Sequence, residues 1–298
     1  MTDLRDSIFN YIIKSMEKNK NSYFLSIDQG SFGYEILKKK FPLRCINIGI
    51  AEQNAIGIAS GLALENKTVF VYAISSFIYS RAYEQIKLNL CSMNLKVCII
   101  SSGPGYCYAP DGPTHYSLDD ISIFNSLPNM KIYSPYDDTT CKKAISDFVN
   151  SKGPAYIRTD KGVFHQHTKP SLGVTHILKG KNNLILTHGY YVNLFSQKLK
   201  LLKQKKIGLV AINKLKPLEE MKILNIFQKY KNCYFIDDSW PNASFGLYLS
   251  KLILQKNLKI KIKIISSKEE FYKLGGKRDE IFKKLNIDAN SILSEIKN

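Results

Sequence analysis

Glu52 is the residue in this chain best placed to do chemistry. It follows a β-rich run (Cys45, Ile46, Ile48) and a turn at Gly49, and it opens a helix of small residues: Ala55, Gly57, Ala59, Gly61 and Ala63. An acid in the first turn lies near the positive end of the helix dipole. On so apolar a helix it is expected to be buried, where its proton affinity is adjustable. Gly57 and Gly61 share one side of that helix and, lacking Cβ atoms, would let another backbone approach closely. A second patch, Pro110-Asp111-Gly112-Pro113-Thr114-His115, holds an acceptor and a titratable imidazole at a separation restricted by two prolines and a glycine. A third, Ser75 to Gln85, offers the flat rings of Phe77 or Tyr79 to a heterocycle, with Arg81 close by in sequence. Arg158, closing a β-rich run, could reach an anionic group. Each feature has a plain alternative: a helix-capping acid, a turn aspartate, a core ring, a surface ion pair. Their order along the chain is what carries weight.

The elements that must position these residues are short. Strands are expected at Tyr23–Ile27, Cys45–Ile48, Thr68–Ala73, Lys96–Ser101, Lys131–Ser134 and Ala155–Arg158, with helical patterns between them. This alternation predicts an α/β fold with a mostly parallel sheet, whose ligands sit beyond the C-terminal strand ends. A polar stretch begins at Asp160, and residues 166–182 read as a linker. The alternation then restarts at Leu184–Thr187, Ile207–Ile212, Cys233–Ile236 and Ile260–Ile265, with Pro217 expected to begin a helix. Two layered α/β domains follow, over 1–165 and 183–298.

Composition narrows the partners. Of 298 residues, 44% are hydrophobic and 23% charged, which suits a globular protein with a sizeable core. No apolar run approaches the roughly 20 residues of a membrane helix, and the N-terminus reads as an amphipathic helix, so a cytoplasmic protein without a membrane partner is expected. Six cysteines, at 45, 91, 98, 107, 141 and 233, form no CxxC pair, which argues against a zinc site or a disulfide framework. The net charge of +18 is concentrated in residues 166–298, which hold 25 Lys/Arg against 10 Asp/Glu. Nearly all of that excess is lysine, dispersed in sequence and not interleaved with aromatics. A solvated lysine face is therefore expected, with no nucleic-acid partner.

The ordered strings IGIAEQNAIGIASGLAL, SRAYEQI, DGPTH, LPNMKIYSPYDD, GPAYIR and KPL resemble the transketolase family over nearly the whole chain. The likeness is to the C-terminal half, a pyrimidine-binding domain followed by a C-terminal domain, and especially to stand-alone C-terminal subunits of split transketolases. The resemblance implies a thiamine diphosphate enzyme moving a two-carbon ketol unit between sugars. It implies that Glu52 binds N1′ of the aminopyrimidine and is catalytic, and that Phe77 stacks on that ring. It places Asp28 and Arg81 at the cofactor as well. It assigns Asp111 and His115 to the donor sugar, His115 with a catalytic part, and Arg158 to a sugar phosphate.

The sequence departs from the family pattern in instructive places. Gly103 stands where transketolases have a phosphate-binding histidine, Pro104 where the related deoxyxylulose-phosphate synthases have an arginine, and Phe32 replaces a serine. An unphosphorylated or nucleotide-linked sugar is thereby kept open. The family's Gly-Asp-Gly…Asn motif, which holds Mg²⁺ on the cofactor's diphosphate, is missing. A separate N-terminal-half subunit is therefore expected to hold the Mg²⁺ and diphosphate, with self-association to an α2β2 heterotetramer; no metal is expected on this chain. The alternatives are a deoxyxylulose-phosphate-synthase-like enzyme, the beta subunit of a 2-oxoacid dehydrogenase, a non-catalytic interaction subunit, or a basic polyanion-binding protein.

Overall fold

A computed structural model describes residues 3–167, 170–272 and 276–296; residues 168–169, part of the expected linker, lie outside them. Twelve strands occupy Ser22–Ser26 (β1), Cys45–Asn47 (β2), Thr68–Ile74 (β3), Val97–Ser102 (β4), Lys131–Tyr133 (β5), Ala155–Thr159 (β6), Val174–Leu178 (β7), Asn183–Thr187 (β8), Gly208–Ile212 (β9), Lys214–Lys216 (β10), Asn232–Ile236 (β11) and Lys261–Ile265 (β12). They form two sheets, ordered β10-β5-β6-β4-β3-β1-β2 and β12-β11-β8-β9-β7. Apart from β10 and β7, every pairing is parallel. The α/β architecture with mostly parallel sheets is as expected.

The first sheet is buried on both faces, as parallel sheets must be. Along β3, Phe70 and Tyr72 face the helix Leu4–Lys18 (α1) and its neighbour Phe32–Lys40 (α2), in a core with Ile8, Phe9 and Ile12. Val69, Val71 and Ala73 face the other way, onto Ala55, Ile56 and Ala59 of the helix Glu52–Leu64 (α3). Asp3 caps α1, its side chain accepting from the backbone N–H of Arg5.

Two sequence expectations need correction, and one strand was not foreseen. The segment 166–182 is not wholly a linker, because β7 pairs antiparallel with β9 as an edge strand. The segment Lys214–Lys216 leaves the second half of the chain and pairs antiparallel with β5 at the edge of the first sheet. Pro217 therefore follows a strand, and the helix begins later, at Glu220. The two sheets are tied together by these exchanges and by buried ion pairs. Arg278 grips Asp160 through both guanidinium ends, at 2.9 and 2.6 Å. All six cysteines are free, and no cluster of three or more metal-binding side chains occurs among the described residues. No described helix is long and apolar enough to cross a membrane.

Candidate active site

The site lies where β1, β2, β3 and β4 end. Parallel strands present their C-terminal ends on one edge, so the segments that follow them, around residues 27–31, 48–52, 75–81 and 103–118, gather there. Glu52 is the first residue of α3 and only 6% exposed. Its Oε1 accepts a hydrogen bond from Arg81 Nη1 at 2.7 Å, while no described residue donates to its other oxygen. A carboxylate this enclosed is costly unless paired, and Arg81, half-exposed at the rim, supplies the counter-charge.

Arg81 closes the short helix Ser75–Arg81 (α4), which starts directly after β3. One turn earlier on it lies Phe77, and the Arg81 guanidinium sits over the Phe77 ring at 4.0 Å. Edge-on to Phe77 is His115, with ring centres 4.9 Å apart. His115 is held by its own loop: its backbone N–H donates to the Gly112 carbonyl at 3.0 Å, and its Nδ1 lies 3.0 Å from Thr114 Oγ1. Ser76 Oγ donates to the Thr114 carbonyl and fastens that loop to α4. Glu52, Arg81, Phe77 and His115 thus form one continuous line of contacts.

Tyr108 extends the line, at 6.1 Å from His115. Its hydroxyl lies 2.7 Å from Ser102 Oγ and accepts from Gln29 Nε2 at 3.1 Å, which joins the β4 loop to the β1 loop. Gly103 has φ +83°, and a Cβ there would run into the Tyr108 ring, so glycine is what lets the tyrosine lie across the backbone. Beside Gln29, Asp28 is exposed with φ 45°, its backbone N–H donating to Asn47 Oδ1 at 3.1 Å. Asp111 ends a short helical turn and is exposed on the same loop as His115. Tyr108, Gln29 and Asn47 were not legible as site residues: an aromatic after a glycine-rich loop was the one signal available, and the two amides gave none.

Arg158 is placed differently from its expectation. It is 4% exposed, and its Nε donates to Asp120 Oδ2 at 2.8 Å, with Asp238 a further 3.8 Å from Nη2. Asp120 also accepts from the buried Tyr156 hydroxyl at 2.6 Å. Burial raises the Asp120 carboxyl, opposed by the charge of Arg158; burial lowers Arg158 in turn, but the charges of Asp120 and Asp238 help to outweigh it, so the guanidinium is raised. His188, with Nδ1 3.5 Å from Arg158, is held well below its usual value by burial and by that guanidinium. Arg158 is therefore the centre of an internal junction between the two sheets. The Cβ-free side of α3 is open: no atom of the other described residues lies within 4 Å of where a Cβ would stand on Gly57 or Gly61. Exposed Ile50, Ile58 and Leu64 border it.

The family description "Transketolase, pyrimidine binding domain" matches residues 2–166. The chain is 28% identical over 262 residues to one of the subunits of the apulose-4-phosphate transketolase of Actinobacillus succinogenes, covering 86% of this chain and 84% of the relative. It is 30% identical over 296 residues to a transketolase C-terminal section of Methanocaldococcus jannaschii, covering 96% and 92%. Its fold matches a solved split-gene transketolase, described as an inactive beta4 tetramer, with a TM-score of 0.87 and 21% identity over 99% of this chain and 97% of that one. Membership of this kind implies thiamine diphosphate as the cofactor. With its acid-led helix and aromatic rim at the strand ends, the chain belongs to the transketolase family and carries that family's pyrimidine-binding domain.

Proposed function

We propose that the chain is the pyrimidine-binding subunit of a two-chain transketolase, with residues 1–165 as the pyrimidine-binding domain and 183–298 as the C-terminal domain. The observation that carries this is Glu52: a buried carboxylate with one oxygen held and the other unclaimed, next to a half-exposed aromatic face. That pairing suits an aminopyrimidine, whose edge needs an acid and whose face needs a ring. When bound, thiamine diphosphate supplies a nucleophilic carbon and an electron sink for breaking a carbon–carbon bond. Glu52 would share a proton with N1′ of the pyrimidine, Phe77 would support the ring, and Arg81 and Asp28 would flank them. His115 exchanges protons with the donor's hydroxyls, and Asp111 orients them.

Of the two positions implied for a phosphate grip, Gly103 is covered by the Tyr108 ring, and Arg158 is buried with its Nε on Asp120 and its Nη2 without a hydrogen-bond partner among the described residues. The distal end of the sugar is neutral, is held by the partner subunit, or draws on that Nη2. The partner carries the diphosphate-binding domain with its Mg²⁺, and the open glycine side of α3 receives it within an α2β2 assembly.

The test is a transfer assay on this chain mixed with a diphosphate-domain subunit, using phosphorylated, free and nucleotide-linked ketoses, apulose 4-phosphate among them, and pyruvate as a rival donor. Two-carbon transfer from a ketose supports the reading. Consumption of pyruvate alone would replace it with a synthase-type reaction. Replacing Glu52 with Ala should lower turnover at least about 100-fold with assembly intact, the lower end of a general acid–base contribution.

A further inference from the structure

The lysines that look scattered between residues 179 and 261 are collected by the fold onto one end of the second sheet. The segments 179–182, 203–207, 228–231 and 255–261 contain ten lysines and no acid. Each leads into or out of a strand at the same end. Backbone hydrogen bonds join them in series: Lys181 N–H to the Lys206 carbonyl at 2.8 Å, Lys231 N–H to the Asn182 carbonyl at 2.9 Å, and Lys261 N–H to the Lys231 carbonyl at 2.9 Å. Nine of the ten lysines are exposed; the tenth, Lys205, reaches the Leu293 carbonyl at 2.9 Å. The acids of this half lie elsewhere: Asp237, Asp238, Glu269 and Glu270 follow the opposite ends of β11 and β12, and Glu295 pairs with Lys263. The charge is polarised along the strand axis.

Lysines at helix C-termini are expected to some degree, since three helices, Leu199–Gln204, Glu220–Phe227 and Gly246–Gln255, end here. Ten cations exceed what three helix ends require, and they line two open concavities. One, of about 570 Å³, includes Lys231, Lys259 and Lys261; the other, of about 300 Å³, includes Lys181, Lys205 and Lys206. Three inter-strand spacings put β9 and β12 about 14 Å apart, a width over which a nucleic-acid duplex presents about eight phosphate charges.

We propose that this lysine-lined end of the second sheet binds the phosphodiester backbone of a nucleic-acid duplex, without reading its sequence. Lysine is a compact point charge without the rigid planar fork that gives arginine its bidentate contacts. The rings nearest, Phe227 and Tyr230, are buried, so no stacking platform for single strands is offered.

The test is fluorescence anisotropy of the whole chain with a labelled 20-base-pair DNA duplex across salt. With about five phosphates engaged, affinity should fall about 500-fold between 50 and 200 mM salt. The substitution K181Q/K231Q/K261Q should flatten the log–log salt slope by about 2.7, and K229Q/K259Q by about 1.8; the second serves if the first does not fold. No saturable binding at 50 mM salt, an unchanged slope in a folded variant, or tighter binding to single strands or to phosphatidylserine vesicles would each overturn the proposal.

Discussion

The arginines at 81 and 158 show how one side-chain type serves two purposes. Arg81 is a rim cation: it balances Glu52 across 2.7 Å, yet almost half of it is in solvent, so the pair contributes little to stability by itself. Arg158 is the reverse, a guanidinium sealed against Asp120. Truncating one partner of such a pair leaves a buried charge unmatched, at a cost of about 3–5 kcal/mol. Arg158→Met should lower the urea midpoint accordingly, and adding Asp120→Leu should recover much of the loss. If Arg158→Met leaves stability unchanged and instead raises the KM for a phosphorylated sugar in the assembled enzyme, Arg158 grips substrate after all. The position of Arg158 at a strand end was readable in the sequence. Its inward turn was not, because Asp120 lies 38 residues earlier and Asp238 arrives from the second sheet.

Among the elements, α3 is the one whose surface matters most. Its buried side, Ala55, Ile56 and Ala59, packs on β3, while Gly57 and Gly61 face outward with no other described residue against them. A glycine inside a helix costs roughly 0.5–1 kcal/mol relative to alanine, an expense that a monomeric surface would not retain. Gly57→Ala should therefore raise the free chain's stability by about that amount, read by chemical melts. Gly57→Arg, also a better helix former than glycine, should leave the free chain at least as stable and abolish complex formation with the diphosphate-domain subunit, read by light scattering. Normal assembly of Gly57→Arg would remove this face from the interface. The close spacing of glycines made the helix legible from sequence, as did the β-rich runs for ten of the twelve strands. The two others, β7 and β10, were missed because edge strands carry mixed polar residues. Val174–Leu178 is broken by Thr175 and His176, and Lys214–Lys216 is two-thirds lysine.

In the second sheet charge is sorted along the strand axis: Asp237, Asp238, Glu269 and Glu270 follow the C-terminal ends of β11 and β12, and lysines gather at the other end. Sequence spacing hid this, since only the parallel register brings Lys181, Lys206, Lys231 and Lys261 side by side. The buried acids also make stability depend on pH. Asp237 is fully enclosed, and burial raises it to about 7, against the hydrogen bonds from Ser244 and the Phe245 N–H. The unfolded chain releases that proton near pH 4. Between about 4 and 7 the native state binds the extra proton, so this contribution is full at the acid end and lost as pH rises through about 7. His188, held neutral, acts in the opposite direction below its ordinary value and is common to both proteins compared. Asp237→Asn should therefore weaken the fall in melting temperature between pH 5 and pH 8; an identical fall in both would place the titrating group elsewhere.

Everything rests on Glu52 serving a cofactor that two chains hold jointly. Calorimetric titration of thiamine diphosphate with Mg²⁺ into this chain, into its diphosphate-domain partner and into their mixture addresses that directly. Joint holding predicts tight binding by the mixture alone, weakened when Glu52 is replaced by Gln. Tight binding by this chain unaided, or a mixture indifferent to the substitution, would contradict it.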